Sequence, residues 1–584
     1  MTDTCLNIIT QLTVELHKDD ISKEKLGTGV LYTDRKLSGV VYVLTAKHCL
    51  SKLGEKGRVS LRIYNPDTST YEYVTPVKQS ILLHPVDDAG IIIINKRELT
   101  SVVSDIPSVY VVDKNFGTDE AVSKGFPVAT LNQTNENGES SLAMIRMTYL
   151  HEDTTENVFQ LSTNDDYSED TIVGMSGSGI FIEACEELYI NGIFIRYTDE
   201  ERGKVISAQR LISFNKLLEE EYKKKMSLSF LGQHGVGHKT LKNNVEDSVA
   251  NLGPRYCQKV NVKTGTAKYF DCVAKTPAYF ERLYRNIDSW LTEKSYRTRK
   301  NSIRIGELES HLKAIRDDFI VALSDLDQHV DAVVDFSSLM KRIKDLRKEL
   351  GEVRHRFYSD YSSTKKDDNV RKELEADEAR LSEISQDLYS FTENFEDLKI
   401  NLANNPYLII KGEAGCGKSH LLGDVASKRI DDGLPTLLFL GTDFSEGTYE
   451  TTITSKVGFV GTFREFLSSF NQIGTQVGSR ALLMIDALNE GPQAVLWKDR
   501  LSGLIKFLKD YPAIGLVVSV RDTYFDDVIP DGVETDLGAT VIEHKGFKGL
   551  EYEAVKQFCW AYELNLPNAV SYTHLRAHET AANL

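Results

Sequence analysis

A segment of eight residues with three glycines limits the possible folds of this chain more than any other feature. Its residues are Gly412, Glu413, Ala414, Gly415, Cys416, Gly417, Lys418 and Ser419. The segment follows the apolar run 408–410 and precedes a stretch that can form a helix. In this setting its backbone N–H groups can surround phosphate oxygens, because glycine puts no side chain in their way. Lys418 adds a cation, and the Ser419 hydroxyl can ligate Mg²⁺. The segment therefore predicts an α/β domain that binds a nucleotide, with ATP and GTP both open.

The residues after this loop alternate between apolar runs and helical patterns, as in a doubly wound sheet of parallel strands. The apolar runs cover 407–410, 436–440, 481–485 and 515–520. Asp486 ends the third run, so we expect it at the carboxyl edge of the sheet, as a second Mg²⁺ ligand beside the loop. Glu490 is a candidate for orienting the attacking water. Arg521 ends the last run and is either a sensor of the terminal phosphate or half of a surface ion pair.

Length and composition narrow the remaining possibilities. A chain of 584 residues is too long for one hydrophobic core and predicts roughly three or four folding units. Its formal charge of −17 argues against a broad nucleic-acid-binding face. No apolar run approaches the ~20 residues that cross a bilayer, and the first residues lack the plan of a secretion signal. We therefore expect a cytoplasmic protein with no membrane contact. The seven cysteines are scattered and form no CxxC pair, so we expect reduced thiols.

Changes in sequence pattern divide the chain into five segments. Residues 1–225 contain short runs rich in Val, Ile, Tyr and Thr between turn-forming residues, and they predict an all-β barrel or sandwich closed by a helix. Residues 226–300 read as a linker with connector helices. In 301–400 apolar residues recur at spacings of three and four, which predicts a helical bundle or an antiparallel coiled coil. The nucleotide-binding domain occupies 401–569, and 570–584 form a tail.

Two short motifs in the β-rich segment carry possible catalytic groups. His48 follows an apolar strand pattern, and Ser176 lies within the glycine-rich turn 174–179. Two adjacent acids, Asp87 and Asp88, come between them in the chain. The order of histidine, acid and serine, with glycines around the serine, resembles the trypsin-like serine peptidases. This resemblance implies that the β-rich segment is a double β-barrel.

The same resemblance implies a role for each residue. Ser176 would attack the substrate carbonyl, His48 would take its proton, and Asp88 would fix the imidazole tautomer. Asp88 fits the family pattern better than the alternative, Asp87, because small and apolar residues follow it. The backbone N–H groups of Gly174 and Ser176 would form the oxyanion hole.

Two neighbouring positions bear on control and specificity. Met175 stands where zymogen-type members carry the acid that captures a newly cut N-terminus, so activation by N-terminal cleavage is not expected. Asp170, six residues before Ser176, stands where members specific for basic residues place the acid of the S1 pocket. If the alignment has no gap there, cleavage after Lys or Arg is predicted; a solvated loop acid is the alternative.

The nucleotide-binding segment resembles a second family. The loop 412–419, the Ile-Asp-Ala-Leu-Asn-Glu run 485–490 and the Ser-Val-Arg run 519–521 are similar to those of STAND NTPases, the NACHT-like signalling ATPases. The resemblance covers about 401–568. It implies a nucleotide-driven switch that oligomerises with copies of itself when a C-terminal sensor meets its ligand, and bacterial members defend against phage. Many relatives carry an acid where Asn489 stands, so the resemblance does not fix the hydrolysis rate.

The tail 570–584 continues no helix or strand pattern. A transposase-based library adapter translated in one frame gives Val-Ser-Tyr-Thr-His-Leu-Arg-Ala-His-Glu-Thr, which is identical to residues 570–580. We therefore expect the tail to be an adapter-derived artefact. The natural chain is expected to continue beyond residue 569, with the rest of the NTPase domain and the sensor.

Together these patterns predict a switch of bacterial antiphage defence. A phage-derived or other trigger would drive NTP-dependent homo-oligomerisation, and this would turn on a serine peptidase that cuts a protein substrate. The alternative is a regulatory ATPase scaffold whose β-domain binds peptides without catalysis. An ATPase that unfolds substrates for a protease is less favoured, because no substrate-pore motif is evident.

Overall fold

The computed structural model of the chain describes all residues except 20–23, 35–38, 54–56, 104, 114–119, 128–140, 154–156, 164–171, 185–186, 201–202, 223–225, 227, 231–235, 258–264, 292–302, 326–329, 364–367, 398, 446, 547, 549, 562 and 565–584. Asp170 and the predicted adapter tail lie outside the described residues. The chain divides into two compact units. The first comprises Met1–Asn243, Ile430–Leu434 and Val457–Thr462, and the second comprises Asn244–Arg429, Pro435–Lys456 and Phe463–Leu584.

Seven antiparallel strands form the first sheet of the first unit. They are β1 (Thr13–Lys18), β2 (Lys25–Tyr32), β3 (Val40–Thr45), β4 (Val59–Asn65), β5 (Thr70–Val74), β6 (Gln79–Leu83) and β7 (Gly90–Asn95). Their order across the sheet is β5-β4-β1-β2-β3-β7-β6. The β-branched residues of β2, β3 and β7 suit a pleated, buried surface, and nearly all residues of β2 and β3 are buried.

A second sheet of seven strands completes the β-rich part of this unit. Its strands are β8 (Tyr110–Val111), β9 (Ala121–Gly125), β10 (Ala143–Asp153), β11 (Val158–Thr163), β12 (Gly179–Ala184), β13 (Glu187–Glu200) and β14 (Gly203–Arg210). They are ordered β12-β9-β10-β11-β14-β13-β8, and β12 also pairs with β13. Six strands therefore close into a barrel, and β8 joins it in parallel with β13.

In the described part of this unit, three α-helices lie next to these sheets, and the loops beside them position the candidate site. Helix α1 (Asp3–Leu12) contributes Ile9 to the hydrophobic core of the first sheet, and α3 (Leu211–Tyr222) contributes Phe214 to the same core. Helix α2 (Lys47–Leu50) directly follows β3 and carries His48. The turn that holds Ser176 directly precedes β12.

Helices make up the first part of the second unit, as predicted for 301–400. In chain order they are α4 (His238–Leu252), which begins in the first unit, α5 (Ala267–Ala274), α6 (Pro277–Leu291), α7 (Ile303–Ser324), α8 (Ser337–Ser363), α9 (Asp368–Asp397) and α10 (Ile400–Asn404). Helix α8 packs on both α7 and α9. Aromatic side chains join these helices, since the Phe319 ring contacts those of Phe336, Phe391 and Phe395.

A five-stranded parallel sheet forms the second part of this unit. Its strands are β15 (Tyr407–Gly412), β16 (Thr436–Leu440), β17 (Ala481–Asp486), β18 (Ile514–Arg521) and β19 (Thr540–Glu543), in the order β16-β17-β18-β15-β19. The accompanying helices are α11 (Lys418–Asp431), α12 (Tyr449–Lys456), α13 (Phe463–Val477), α14 (Trp497–Leu508), α15 (Phe525–Val528) and α16 (Glu551–Ala561). Because the strands are parallel, the residues that follow β15, β17, β18 and β19 meet at one edge.

The part of the chain that the structure describes contains no helix with both the length and the apolar character needed to cross a membrane.

Candidate functional site

His48 and Asp88 make two contacts in the first unit. The ring Nδ1 of His48 lies 2.7 Å from Asp88 Oδ2, and the backbone N–H of His48 donates to Asp88 Oδ1 at 3.0 Å. The helix that carries His48 is also held by Lys47, whose ammonium donates to the Pro85 carbonyl at 3.0 Å. One carboxylate therefore fixes both the backbone and the ring of the histidine.

The neighbouring acid, Asp87, has different partners. Its Oδ2 accepts hydrogen bonds from the Ser213 hydroxyl at 2.6 Å and from Asn157 Nδ2 at 3.1 Å. Its backbone N–H donates to Nδ1 of His84 at 2.8 Å. Of the two candidate acids, the structure brings Asp88 to His48 and uses Asp87 to tie the turn to other elements of the unit.

A glutamine that the sequence motifs did not point to supports Asp88. Gln209 Oε1 accepts the backbone N–H of Asp88 at 3.1 Å, and Gln209 Nε2 donates to the Asn157 carbonyl at 2.8 Å and the Ser213 hydroxyl at 2.9 Å. Gln209 is buried and lies at the end of β14. It therefore connects the second sheet to the acid beside His48, and only an alignment of relatives could have drawn attention to it.

The contact between His48 and Asp88 shifts the pKa of both groups. The hydrogen bond that His48 donates to Asp88, followed by one with the Cys49 side chain, raises the pKa of His48 from 6.5 to about 10. Burial acts to raise the pKa of Asp88, but the hydrogen bonds and charge of His48 outweigh it and the pKa is lowered. The pair favours a proton on Nδ1, which leaves Nε2 as the position that can accept a proton when His48 is neutral.

The turn around Ser176 has a backbone that needs glycine. Gly174 and Gly177 have φ angles of 101° and 92°, in the left-handed region that side chains disfavour. A Cβ on Gly177 would also lie 2.0 Å from the Thr28 carbonyl oxygen. Thr28 holds the turn from the other side, because its hydroxyl donates to the Gly174 carbonyl at 2.9 Å and its N–H donates to the Ser176 carbonyl at 2.9 Å.

The hydroxyl of Ser176 is hydrogen-bonded to the backbone and not to His48. It donates to the Ile195 carbonyl at 3.5 Å, and among the described residues no hydrogen bond links it to the imidazole. The two motifs nevertheless meet, because the Cys49 thiol next to His48 donates to the Ser176 carbonyl at 3.4 Å. Catalytic hydrogen bonds are often long or misaligned without substrate, so this geometry does not exclude Ser176 and His48 as a candidate pair.

The other residues to which the sequence assigned a role near Ser176 are Gly174, Met175 and Asp170. In the described part of the chain, the backbone N–H groups of Gly174 and Ser176 have no hydrogen-bond acceptor, as an oxyanion hole requires. Met175 is buried in the core of the second sheet. Asp170 falls on residues that the structure does not describe, so its suggested place in a specificity pocket stays a prediction.

In the second unit, the loop 412–419 connects β15 to α11. Gly417 has a φ of 94°, in the left-handed region where a residue with a side chain would be strained. The ammonium of Lys418 donates to the carbonyls of Gly412 at 2.7 Å and Glu413 at 2.8 Å. The ammonium group therefore donates its hydrogen bonds to carbonyls of its own loop. It lies at the amino-terminal end of a helix, a position where anions bind favourably.

Asp486, at the end of β17, is buried and has one oxygen without a hydrogen bond. Oδ1 accepts the Ser519 hydroxyl at 2.6 Å, whereas Oδ2 has no hydrogen-bond partner in the described part of the chain. Burial raises the pKa of Asp486, and the hydroxyls of Ser419 and Ser519 act to lower it. A buried carboxylate with one unpaired oxygen, together with the Ser419 hydroxyl, is a set of oxygen ligands that would suit Mg²⁺.

Glu490 is held between two arginines. Arg521 Nη2 donates to Oε1 at 2.9 Å, and Arg255 Nη1 donates to Oε2 at 3.0 Å. The Asn489 side chain accepts the backbone N–H of Arg521 at 3.0 Å. Arg521, the predicted phosphate sensor, is thus ion-paired in this structure. Arg255 was not identified from the sequence, because it lies 235 residues from Glu490 and belongs to no motif.

His544 is a second residue at this edge that sequence reasoning missed. It follows β19, its backbone N–H donates to the Lys411 carbonyl at 2.7 Å, and its ring Nδ1 lies 3.1 Å from the Thr266 hydroxyl. Burial, followed by the charge of Lys418, lowers the pKa of His544. The short strand β19 brings it to the loop, and a run with only two strongly apolar residues gave little signal for that strand.

Comparisons with known proteins add little to this geometry. The chain matches no protein-family model, and no curated protein matches it. The crystal structure of a thermostable serine protease from an extremophilic microorganism matches with a TM-score of 0.27 and 10% sequence identity, over 37% of this chain and 100% of that chain. This is a weak structural resemblance, and it does not assign an activity to the chain.

Proposed function

We propose that this chain is a serine endopeptidase controlled by a nucleotide-binding domain in the same polypeptide. The observation that carries the peptidase half is the double contact of His48 with Asp88, in the same unit as the glycine-flanked Ser176. The nucleotide half is supported by Lys418 on its loop and by the buried, half-satisfied carboxylate of Asp486.

In the peptidase reaction, Ser176 Oγ bonds to the substrate carbonyl carbon while its proton passes to His48 Nε2. Asp88 keeps the proton of Nδ1 in place and stabilises the imidazolium that forms. The N–H groups of Gly174 and Ser176 donate to the developing oxyanion. His48 then gives the proton to the amine as the bond between the carbonyl carbon and the amide nitrogen breaks, and water, which gives a proton to His48, hydrolyses the remaining ester and frees Ser176. The Ser176 hydroxyl first has to turn from the Ile195 carbonyl to His48.

In the nucleotide site, the backbone of 412–417 and the Lys418 ammonium would hold the phosphates of ATP or GTP. Ser419 and Asp486 would hold Mg²⁺, which supplies positive charge against the phosphate oxygens when it is bound. Glu490 would orient the attacking water, and Arg521 would contact the terminal phosphate. The support for this assignment is that these side chains follow neighbouring strands at one edge of the parallel sheet.

The biological role proposed here is a cytoplasmic switch of bacterial antiphage defence. Nucleotide-dependent homo-oligomerisation, set off by a trigger that a C-terminal region recognises, would activate the peptidase. Its support is the pairing of a peptidase-like site with a nucleotide-like site in one chain, together with the sequence resemblance to STAND NTPases. If Asp170 lines the specificity pocket, the protein substrate is cut after Lys or Arg.

A serine-reactive fluorophosphonate probe tests the peptidase assignment. The wild-type protein is expected to be labelled faster with ATP and Mg²⁺ than without them, and Ser176→Ala is expected to lose the label in both conditions. Ser51→Ala is a matched control, because Ser51 is exposed and caps the helix that carries His48. Labelling that persists in Ser176→Ala would place the reactive serine elsewhere.

The second candidate function is a regulatory ATPase scaffold whose β-domain binds peptides without cutting them. One observation favours it: the Ser176 hydroxyl donates to the Ile195 carbonyl and not to His48. A wild-type protein that stays unlabelled in all nucleotide conditions, although it binds nucleotide, would favour the scaffold over the peptidase.

A further inference from the structure

Both carboxylate oxygens of Glu490 are engaged by arginines, although this residue is the proposed water-orienting group. Arg521 holds Oε1 at 2.9 Å, and Arg255 holds Oε2 at 3.0 Å. Charge-assisted hydrogen bonds of this length fix the orientation of a carboxylate. A carboxylate that orients the attacking water needs a free oxygen to accept a hydrogen bond from that water, so this arrangement opposes the proposed role.

The two arginines come from different places in the unit. Arg521 ends a strand of the sheet, whereas Arg255 ends the 3₁₀ turn Gly253–Arg255 that follows α4. The next residue, Tyr256, lies against the His420 ring with centroids 5.2 Å apart, and His420 Nε2 lies 3.0 Å from the Cys257 carbonyl. His420 belongs to the first turn of the helix after the phosphate loop. The position of Arg255 is therefore tied to that loop.

The ion pairs are exposed enough to exchange partners. Arg255 and Arg521 are 42% and 43% exposed, and Glu490 is 23% exposed. Pairs of this kind are individually weak in water. Arg255 also lies close enough to Asp486 for its charge to act on that buried carboxylate. A nucleoside triphosphate would bring several negative charges to the same edge and would compete with Glu490 for both guanidinium groups.

We propose that Arg255 is a latch on Glu490: it holds the carboxylate in a resting orientation until a bound triphosphate draws the arginines away. This inference rests on the proposed nucleotide hydrolysis and adds its regulation. In that reaction the water oxygen bonds to the terminal phosphorus as the bond from this phosphorus to the bridging oxygen breaks. The water proton passes to Glu490 and then to the released phosphate. The latch controls when Glu490 can take part.

Single-turnover hydrolysis of ATP with Mg²⁺ by the full chain tests the latch. Arg255→Gln is expected to speed the step about fivefold, the size of effect that a half-exposed ion pair accounts for. Arg255→Lys should be intermediate, because it keeps the charge. Glu490→Gln should abolish the step. Arg285→Gln is a matched control, since Arg285 is an exposed arginine on α6 that pairs with Glu281.

A second measurement does not depend on hydrolysis. Without nucleotide, Arg255→Gln should lower the melting temperature of the protein, and it should lower it less when combined with Glu490→Gln, because the partner is already altered. If Arg255 and Glu490 did not interact in solution, the loss would be the same in both backgrounds. That result would overturn the latch.

The outcomes separate the latch from the function on which it rests. Binding of a fluorescent ATP analogue with Mg²⁺, compared between wild type and Lys418→Ala, reports on the nucleotide site alone. If wild type does not bind the analogue, the proposed nucleotide function fails and the latch falls with it. If binding is intact and Arg255→Gln leaves the hydrolysis rate unchanged or lowers it, only the latch is wrong. A lowered rate would make Arg255 a catalytic group.

Discussion

Replacing Asp88 with Asn tests the candidate peptidase site at its best-defined contact. The carboxylate lies 2.7 Å from His48 Nδ1, and this hydrogen bond is the first cause of the raised pKa of His48, about 10 against 6.5. A change of that size would correspond to about 5 kcal/mol. Because 49% of the His48 side chain is exposed, solvent screening should leave roughly 1 to 2 kcal/mol. We therefore expect Asp88→Asn to lower the pKa of His48 by about one pH unit.

The rate of Ser176 inactivation by a fluorophosphonate, measured against pH, reports this pKa because only neutral His48 can take the serine proton. The wild-type rate should rise through a midpoint above pH 6.5, and the midpoint should fall in Asp88→Asn. Turnover of a peptide substrate should drop by about 10⁴-fold, as expected when the histidine loses its carboxylate. An unchanged midpoint in Asp88→Asn, together with a shift in Asp87→Asn, would refute the assignment of Asp88.

The same pair makes stability depend on pH. The pKa of His48 is raised on folding. Its contribution to the free energy of unfolding is therefore complete below pH 6.5 and is lost as pH rises through the folded-state pKa. The pKa of Asp88 is lowered, so its contribution is present above pH 3.8 and is lost as pH falls. Asp88→Asn should lower the melting temperature most at about pH 5.5 and only slightly above pH 10. An equal cost at both pH values would contradict this reasoning.

Four further substitutions have outcomes set by single features. Lys418→Ala should weaken binding of a fluorescent ATP analogue by about 10-fold or more, measured by titration, because charge-assisted hydrogen bonds to phosphate are lost. Asp486→Asn should raise the melting temperature without Mg²⁺ at pH 8 but not near pH 4: burial raises the pKa of Asp486, so stability falls as pH rises above 3.8, and Asn removes that loss. Gly177→Ala should destabilise by about 2 kcal/mol or more because of its positive φ and the close Thr28 oxygen, whereas Gly351→Ala, in a helix with open space around it, should stabilise by about 0.5 to 1 kcal/mol. Melting curves of the two glycine variants check that contrast.

Short-range patterns in the sequence located several elements of the second unit. A repeat of apolar residues every three or four positions predicted helices within 301–400, where the structure has α7, α8 and α9. Apolar runs predicted β15, β16, β17 and β18 to within one or two residues of their observed ends. These features depend on neighbours along the chain, so periodicity and turn residues carry them. The short strand β19 has too few residues to show a period.

Contacts between distant residues were decided only by the tertiary structure. Asp87 and Asp88 are adjacent and chemically identical, and the side of the turn that faces His48 selects between them. Gln209 and Arg255 belong to no motif, yet folding brings one to Asp88 and the other to Glu490. The sequence alone determined which residue types could do chemistry and where the strands β15 to β18 lie. Which side chains face one another depends on how those elements pack, because packing joins residues whose separation along the chain leaves no local pattern.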